Sequence, residues 1–548
     1  MSRRELAWSA IAVFAIALVV RVVFAAQIVF PKPEDTAYYV GVARNILEGR
    51  GLVSDALWSY STPPLVFPRP AFEIWLPLPT FLALIPMALF GPTFVASQVS
   101  SVVIGALVPV LGWRLAIDVA QERDLPPDRA RWVALGSGLT AAVYLPLVLN
   151  SALPDSTMLF GAITLAACLL MTRIARDPRG ARVADPRLLA LGALFGLGAL
   201  TRNETVWLAL IWVVMAWRSR GTSTAERLRL VGVAAVVGLL IFAPWAARNM
   251  AVFGNPLPGQ AINNALYLTG YDLFAWNHPP TLARHLSLGV DGLIGLRVTG
   301  VEHNLINVLL LLGLPISAVG LIALPWQARG FALRPLVAVS LLMFVITSLL
   351  FPAATQWGTF LHAAAPVHVL LVLSGILAID AAVTRLGRRM SWERSVTWVG
   401  AVGSVAVSLM FSAVLLPGYG QSSRDTARQF EELGARMAAI GRPLDATAGP
   451  VISNFPIWMA ETQRVSALAL PNESPEDVLN LAAYPAFQGT HLLVLVGGGG
   501  SHWPADLDSG QPGSDCFTPL DLGPFTGQGV DPLDDTTVYD IRCPGNAS

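Results

Sequence analysis

Apolar residues run through this chain in blocks of about 20, the length that crosses a bilayer as a helix. Such blocks lie at 6–28, 94–117, 131–151, 156–172, 188–202, 204–217, 230–247, 304–325, 335–352, 361–384 and 395–416. They predict about eleven transmembrane helices. A further apolar stretch, 74–91, carries Pro77, Pro79 and Pro86. Two long polar loops interrupt the blocks, 29–93 and 248–303, and a polar tail follows at 417–548. Within the tail, 424–440 and 475–484 read as helices. The stretches 450–454, 491–496 and 537–541 read as strands. The predicted fold is an α-helical polytopic membrane domain, 1–416, with a small C-terminal α/β domain, 417–548. The glycines at 497–500 read as a flexible turn, since a phosphate loop needs a different spacing and a following lysine.

Arginine sets the expected orientation. With 74–91 left out of the count, one side of the membrane collects Arg114, Arg123, Arg129, Arg131, Arg173, Arg176, Arg179, Arg182 and Arg187. The same side collects Arg218, Arg220, Arg227, Arg229, Arg329, Arg334, Arg385, Arg388, Arg389 and Arg394. The opposite loops are poor in basic residues. The positive-inside rule then puts the N-terminus in the cytoplasm, with both long loops and the tail outside. Counting 74–91 as a span would invert this, so it is expected to lie on the outer surface as an interfacial helix. The first block lacks a small-residue cleavage site and reads as a retained span.

Composition narrows the class. Hydrophobic residues make up 54% of 548 and charged residues 13%, against about 25% charged in soluble domains. Mean hydropathy is +0.58. Soluble, disordered, fibrous and disulfide-scaffold classes are excluded for the chain as a whole, because a single soluble core does not grow this large. Thirty-six basic and 36 acidic residues cancel, which argues against nucleic acid as a partner. Cys168 lies in an apolar block and reads as packing. Cys516 and Cys543 lie in the polar, turn-rich tail and are expected to pair as a disulfide if the tail faces an oxidising compartment.

The candidate chemistry gathers at the outer ends of the blocks. Glu34 and Asp35 follow the first block directly, and carboxylates so close to hydrocarbon suggest function. The plainer alternative is that Asp35 or Thr36 caps the helix that carries Tyr39. Arg69 and Glu73 precede the stretch 74–91. Asp155, Arg202, Arg248, Asn249 and His362 sit at the outer ends of other blocks. Singly, each reads as a cap or an anchor; together they need mutual pairing or an anionic ligand to offset desolvation. A divalent ion held by Asp35 and Asp155 is compatible with the pattern. No zinc-ligand spacing and no GxSxG motif occurs.

Several segments resemble the GT-C superfamily of polyprenyl-phosphate-sugar-dependent glycosyltransferases. The nearest branch holds the protein O-mannosyltransferases and the bacterial transferases that decorate lipid A with aminoarabinose. The segment Glu34-Asp35-x-x-Tyr38-Tyr39-x-x-x-Ala43-Arg44-Asn45 is similar to that family's first-loop motif. Arg69-Pro70, Pro154-Asp155, Pro244-Trp245-x-x-Arg248-Asn249 with Phe253-Gly254, and Thr359-Phe360-Leu361-His362 are similar to later ones. The resemblance covers residues 1–416. It implies a membrane glycosyltransferase that moves a sugar from a polyprenyl-phosphate donor to a glycan, lipid or protein acceptor outside the cell.

In that reading Asp35 is the general base, with Glu34 as the other candidate. Arg69, Arg202, Arg248 and His362 hold the donor phosphate. Asp155, Glu73, Tyr39 and Asn249 complete the site. One carboxylate suffices because a phosphate leaves without a strong acid, unlike the alkoxide of a glycosidase. A transporter or lipid flippase is the competing class. Against it stand the lack of an inverted repeat and the placement of the polar residues at span ends.

Overall fold

The computed structural model describes residues 2–177, 182–219, 221–258, 261–392, 396–498 and 502–543. Arg179, Arg220, Arg394 and the second half of the 497–500 glycine run lie outside the described residues. Among the described residues six helices are long and apolar enough to cross a membrane: Arg4–Ala25, Phe94–Glu122, Ser156–Arg176, Thr224–Phe253, Ala365–Arg389 and Thr397–Ala439. Two bent pairs also qualify, and shorter apolar helices at Pro186–Ala199, Thr205–Trp217 and Arg334–Leu349 complete the bundle. The protein is a multi-pass membrane protein.

Two of the expected spans are not straight. The block 131–151 bends by 51° between Pro127–Val143 and Leu145–Ser151. Tyr144 is extended there, and Pro146 stands in the next first turn. The block 304–325 turns by 120° between Gly289–Gly313 and Ile316–Gln327. Its cause is Pro315: the residue before a proline is driven out of the helical region, and Leu314 sits at ψ 149°. The stretch expected to lie at the interface is the helix Leu78–Phe90. Its 13 residues reach only about 20 Å, short of the roughly 30 Å hydrocarbon core. One face is buried, and Ile85, Leu89 and Phe90 are exposed on the other.

Close helix contact is set by small residues. A Cβ on Gly320 would sit 2.1 Å from the Leu371 carbonyl oxygen, so only glycine lets Ile316–Gln327 reach Ala365–Arg389. One buried charge joins three helices at depth. Arg21, fully buried, donates from Nε to Ser151 Oγ at 2.9 Å and from Nη1 to the carbonyls of Ala17 and Ala142 at 3.1 and 2.9 Å. The Ala142 carbonyl, at the helix end before the bend at Tyr144, thus meets an intramembrane cation, whose cost would otherwise be several kcal/mol.

The tail contains a six-stranded sheet. The order is Ala56–Leu57, Ala467–Ala469, Val451–Ser453, Leu492–Leu495, Thr537–Ile541, Phe517–Pro519. The first four strands are parallel, and Thr537–Ile541 pairs antiparallel with both of its neighbours. The edge strand Ala56–Leu57 comes from the first long loop, a pairing that the chain's linear pattern does not reveal. The helix Thr397–Ala439 runs without a break across position 417 into the tail. The second loop is also fastened. The Glu473 carboxylate accepts the backbone N–H groups of Trp276, Asn277 and His278 at 3.0, 2.8 and 2.8 Å.

Cys516 and Cys543 form a disulfide, and Cys168 is free and buried. The bond ties the last strand to the loop before Phe517–Pro519. Closing a loop across 27 positions is worth roughly 3–4 kcal/mol in the chain-entropy account. Reduction or Cys516→Ser is expected to make the tail protease-sensitive while the bundle keeps its helical circular-dichroism signal. In unreduced, denatured protein only Cys168 should react with a thiol reagent; labelling of a second cysteine would contradict the bond.

Candidate active site

The first-loop helix Glu34–Leu47 follows its N-cap Pro33, a short link beyond the first span, which ends at Ala25. Pro33 is extended and no side chain caps the helix. Asp35 therefore stands in the first turn without a capping task, and the Thr36 hydroxyl, buried, has no partner among the described residues. A carboxylate in that turn is favoured by the helix dipole. Its nearest partner is His362, whose Nε2 lies 3.4 Å from Asp35 Oδ2.

The histidine is braced from behind. Its Nδ1 lies 2.9 Å from Thr157 Oγ1 and 3.6 Å from Asp155 Oδ2. Asp155 caps the helix Ser156–Arg176 by accepting the Thr157 N–H at 2.7 Å. Gly358, at φ +107°, leaves room for the imidazole, since a Cβ there would lie 3.2 Å from the ring. Arg202 ties the same two segments together. It donates to Ser156 Oγ at 3.0 Å and to the Thr359 carbonyl at 3.1 Å, and pairs with Glu204 at 2.6 Å. Tyr39, buried, stands near Asp35, Asp155, Ser156 and Arg202. Of the three titratable groups in line, Asp155 is 0%, His362 8% and Asp35 25% exposed. Only Asp35 offers an oxygen to an incoming molecule.

A second cluster lies one helix position away, around Tyr38. Its hydroxyl accepts the Phe72 N–H at 2.6 Å. Arg69 and Glu73 form a fully buried ion pair at 2.9 Å, and Arg69 also donates to the carbonyls of Pro64 and Thr62 at 2.6 and 2.7 Å. All three guanidinium nitrogens are thus engaged inside the protein. Arg248 differs. It is half-buried over the rings of Trp245 and Phe253 at 5.0 and 5.1 Å. It donates to Asn249 Oδ1 at 3.1 Å and makes no ion pair among the described residues. Asn249 in turn donates to the Pro256 carbonyl at 3.3 Å.

Glu34, the other acid, points away from Asp35. Its Oε1 accepts the Ile457 N–H at 2.9 Å and its Oε2 the Trp58 indole N–H at 3.3 Å. It therefore joins the first loop to the tail rather than to the histidine. Thr157 and Trp58 were not among the residues expected from the sequence, and Tyr38 was named there only as part of the first-loop motif. Thr157 could have been suspected from its place two residues after Asp155; Trp58 carries no such sign. A divalent ion does not fit the cluster. Asp35 and Asp155 approach opposite nitrogens of His362, so the ring stands between the carboxylates. Among the described residues no three His, Cys, Asp or Glu side chains converge on one point.

No protein-family model and no curated protein matches the sequence. The fold does match. Crystal structures of ArnT from Cupriavidus metallidurans superimpose over 97% of both chains. The undecaprenyl-phosphate complex does so with a TM-score of 0.57 at 14% identity, and the apo state with 0.53 at 13%. The chain thus shares the fold of those two structures, a helical membrane bundle with a C-terminal α/β region.

Burial pushes the Glu34 carboxyl up to about 8, although the Ile457 and Trp58 N–H groups pull the other way. Its folded value lies above its unfolded value of about 4.3, so the folded state binds the extra proton between the two. Its contribution to stability is then present at low pH and lost as pH rises toward 8. Glu34→Gln is expected to flatten the fall in thermal stability between about pH 5 and pH 8. Melting curves of both proteins across that range check it; an unchanged pH slope would contradict it.

Proposed function

We propose that the protein is a membrane glycosyltransferase that moves a sugar from a polyprenyl-phosphate donor to an acceptor hydroxyl. The observation that carries this is Asp35: without a capping role, partly exposed and held by His362 in the first turn of the helix that follows the first span. The ArnT-like fold supports the reading, since one of those structures holds undecaprenyl phosphate. The arginine distribution supports a cytoplasmic N-terminus, so that both long loops and residues 417–548 lie outside the cell. The polar groups cluster at one end of the bundle rather than at mid-bilayer, which disfavours the transporter reading.

In the proposed reaction Asp35 takes the proton of the acceptor hydroxyl as the new C–O bond forms at the anomeric carbon. The bond from that carbon to the phosphate oxygen breaks, and polyprenyl phosphate leaves with the electron pair. Attack opposite the leaving group inverts the centre. The charge growing on the phosphate needs a cation. Arg248, with no carboxylate partner, is the residue best able to supply it. Arg202 is committed to Glu204, Ser156 and Thr359 and acts by holding the site. Arg69 and Glu73 brace the loop around Tyr38. His362, with Asp155 and Thr157 behind it, orients the base.

Asp35→Asn keeps the shape but removes the base. It should cut transfer roughly 10²–10⁴-fold, measured by release of labelled sugar from a polyprenyl-phosphate donor in membranes. Near-normal turnover would sink the assignment. Arg248→Ala should weaken donor binding, read directly with labelled polyprenyl phosphate; unchanged affinity would make Arg248 an anchor of the span end only.

A further inference from the structure

His362 stands just before the helix Ala365–Arg389, and a cavity of about 480 Å³ opens at the far end of that helix, against the start of Pro127–Val143. Four arginines line it, Arg129, Arg385, Arg388 and Arg389, and no acidic side chain does. Ala381, Arg385 and Arg388 recur at spacings of four and three, so one face of the helix is turned to the cavity. Arg129 is neutralised by Asp380 at 2.5 Å. Arg385, Arg388 and Arg389 are exposed and make no ion pair or side-chain hydrogen bond among the described residues. Other arginines on this side of the bundle are matched: Arg114 meets Asp118 at 2.6 Å, Arg176 meets Glu122 at 3.2 Å, and Arg187 meets Asp185 at 2.7 Å. Orientation in the membrane requires basic residues on this side but not their convergence on one cavity.

The depth of the cavity follows from helix length. Ala365–Arg389 has 25 residues and reaches about 37 Å, beyond the roughly 30 Å hydrocarbon core. Its last turn therefore emerges among lipid headgroups. Leu386 and Met390, on the adjoining face of that last turn, are exposed. The Thr397 hydroxyl donates to Asp128 at 3.2 Å, which brings the start of Thr397–Ala439 alongside, with Trp398, Val399 and Val402 exposed. Trp392 lies over Gly387, where a Cβ would come within 3.0 Å of its ring. Tryptophan favours the membrane interface, so the arginines sit where an apolar, lipid-facing surface ends.

We propose that this cavity holds the phosphate of an anionic phospholipid from the surrounding leaflet. Guanidinium groups offer paired N–H donors that match phosphate oxygens, and the three uncompensated charges here need an anion. With the phosphate among Arg385, Arg388 and Arg389, the acyl chains run along the exposed apolar faces of the two helices into the bilayer. A free phosphate would gain the arginines but not that apolar contact. A zwitterionic headgroup carries its own cation and gains less from them. The cavity and Asp35 lie at opposite ends of the bundle, so this lipid is not the proposed sugar donor, and the site stands whether or not the protein transfers sugars.

The test uses purified full-length protein in neutral detergent, titrated with fluorescent phosphatidylglycerol. Binding should saturate. Unlabelled phosphatidylglycerol should displace it, whereas phosphatidylcholine, glycerol phosphate and inorganic phosphate at the same concentration should not. Arg385→Gln combined with Arg388→Gln should weaken binding roughly 25-fold, the product of a fivefold loss for each arginine at a lipid surface. Arg218→Gln combined with Arg329→Gln removes the same charge from exposed positions elsewhere on this side and should leave the affinity within about twofold. Equal losses in the two double variants would reduce the effect to general surface charge and overturn the cavity. Binding that survives at Arg385→Gln with Arg388→Gln but falls in Arg248→Ala would place the lipid at the donor end instead and also overturn it. The competition series needs only the wild-type protein: displacement by phosphatidylcholine, or by inorganic phosphate as effectively as by phosphatidylglycerol, would overturn the headgroup assignment.

Discussion

Ionisable groups at the rim of an apolar bundle need partners, and the pairing of Asp35, His362 and Asp155 is where this fold meets that demand. Two carboxylates facing one imidazole from opposite sides fix three segments at once. They are the first-loop helix, the start of Ser156–Arg176 and the short turn before Ala365–Arg389. Arg202 repeats the link through Ser156 and the Thr359 carbonyl. Because Asp155 and His362 are buried while Asp35 is not, the pairing holds the outermost carboxylate still and leaves one of its sides open. A base that is oriented before its substrate arrives costs little reorganisation.

The tail is part of the same construction. Glu34 binds the Ile457 N–H, the Trp458 indole N–H reaches the Pro31 carbonyl at 3.1 Å, and Arg44 pairs with Glu461. Burial pushes the Glu461 carboxyl up to about 7 even beside that arginine, so this contact too lies out of water. With the strand Ala56–Leu57 inserted at the sheet edge, the tail and the first loop share one core. Adjacent acids on one helix therefore serve different ends: Asp35 faces the bundle, and Glu34 faces the tail. Helix geometry explains the split, since consecutive residues point about 100° apart.

What could be read along the chain was whatever repeats or breaks a local rule. Apolar length gave the helices but not the bends in two of them, and three of the sheet's strands and the disulfide of the tail followed from alternation and compartment. An acidic pair directly after a span, and polar residues gathered at span ends, were visible because charge near hydrocarbon is costly wherever it occurs. Those local patterns determined the fold class and the set of residues from which a site could be built.

Only the tertiary structure decided how that set divides. Arg69 and Arg248 look alike in sequence, yet one is spent on Glu73 and two carbonyls and the other pairs with no carboxylate among the described residues. His362 and Asp155 are more than 200 positions apart and meet through Thr157. Trp58, Phe274 and Trp357 come from three separate segments and pack edge-on in one row. Such pairings depend on which helix ends are brought together, and that is set by packing between distant segments such as Gly320 against Leu371. A linear pattern records what each residue can do, whereas long-range packing determines which of those capacities are already used and which remain available to a substrate.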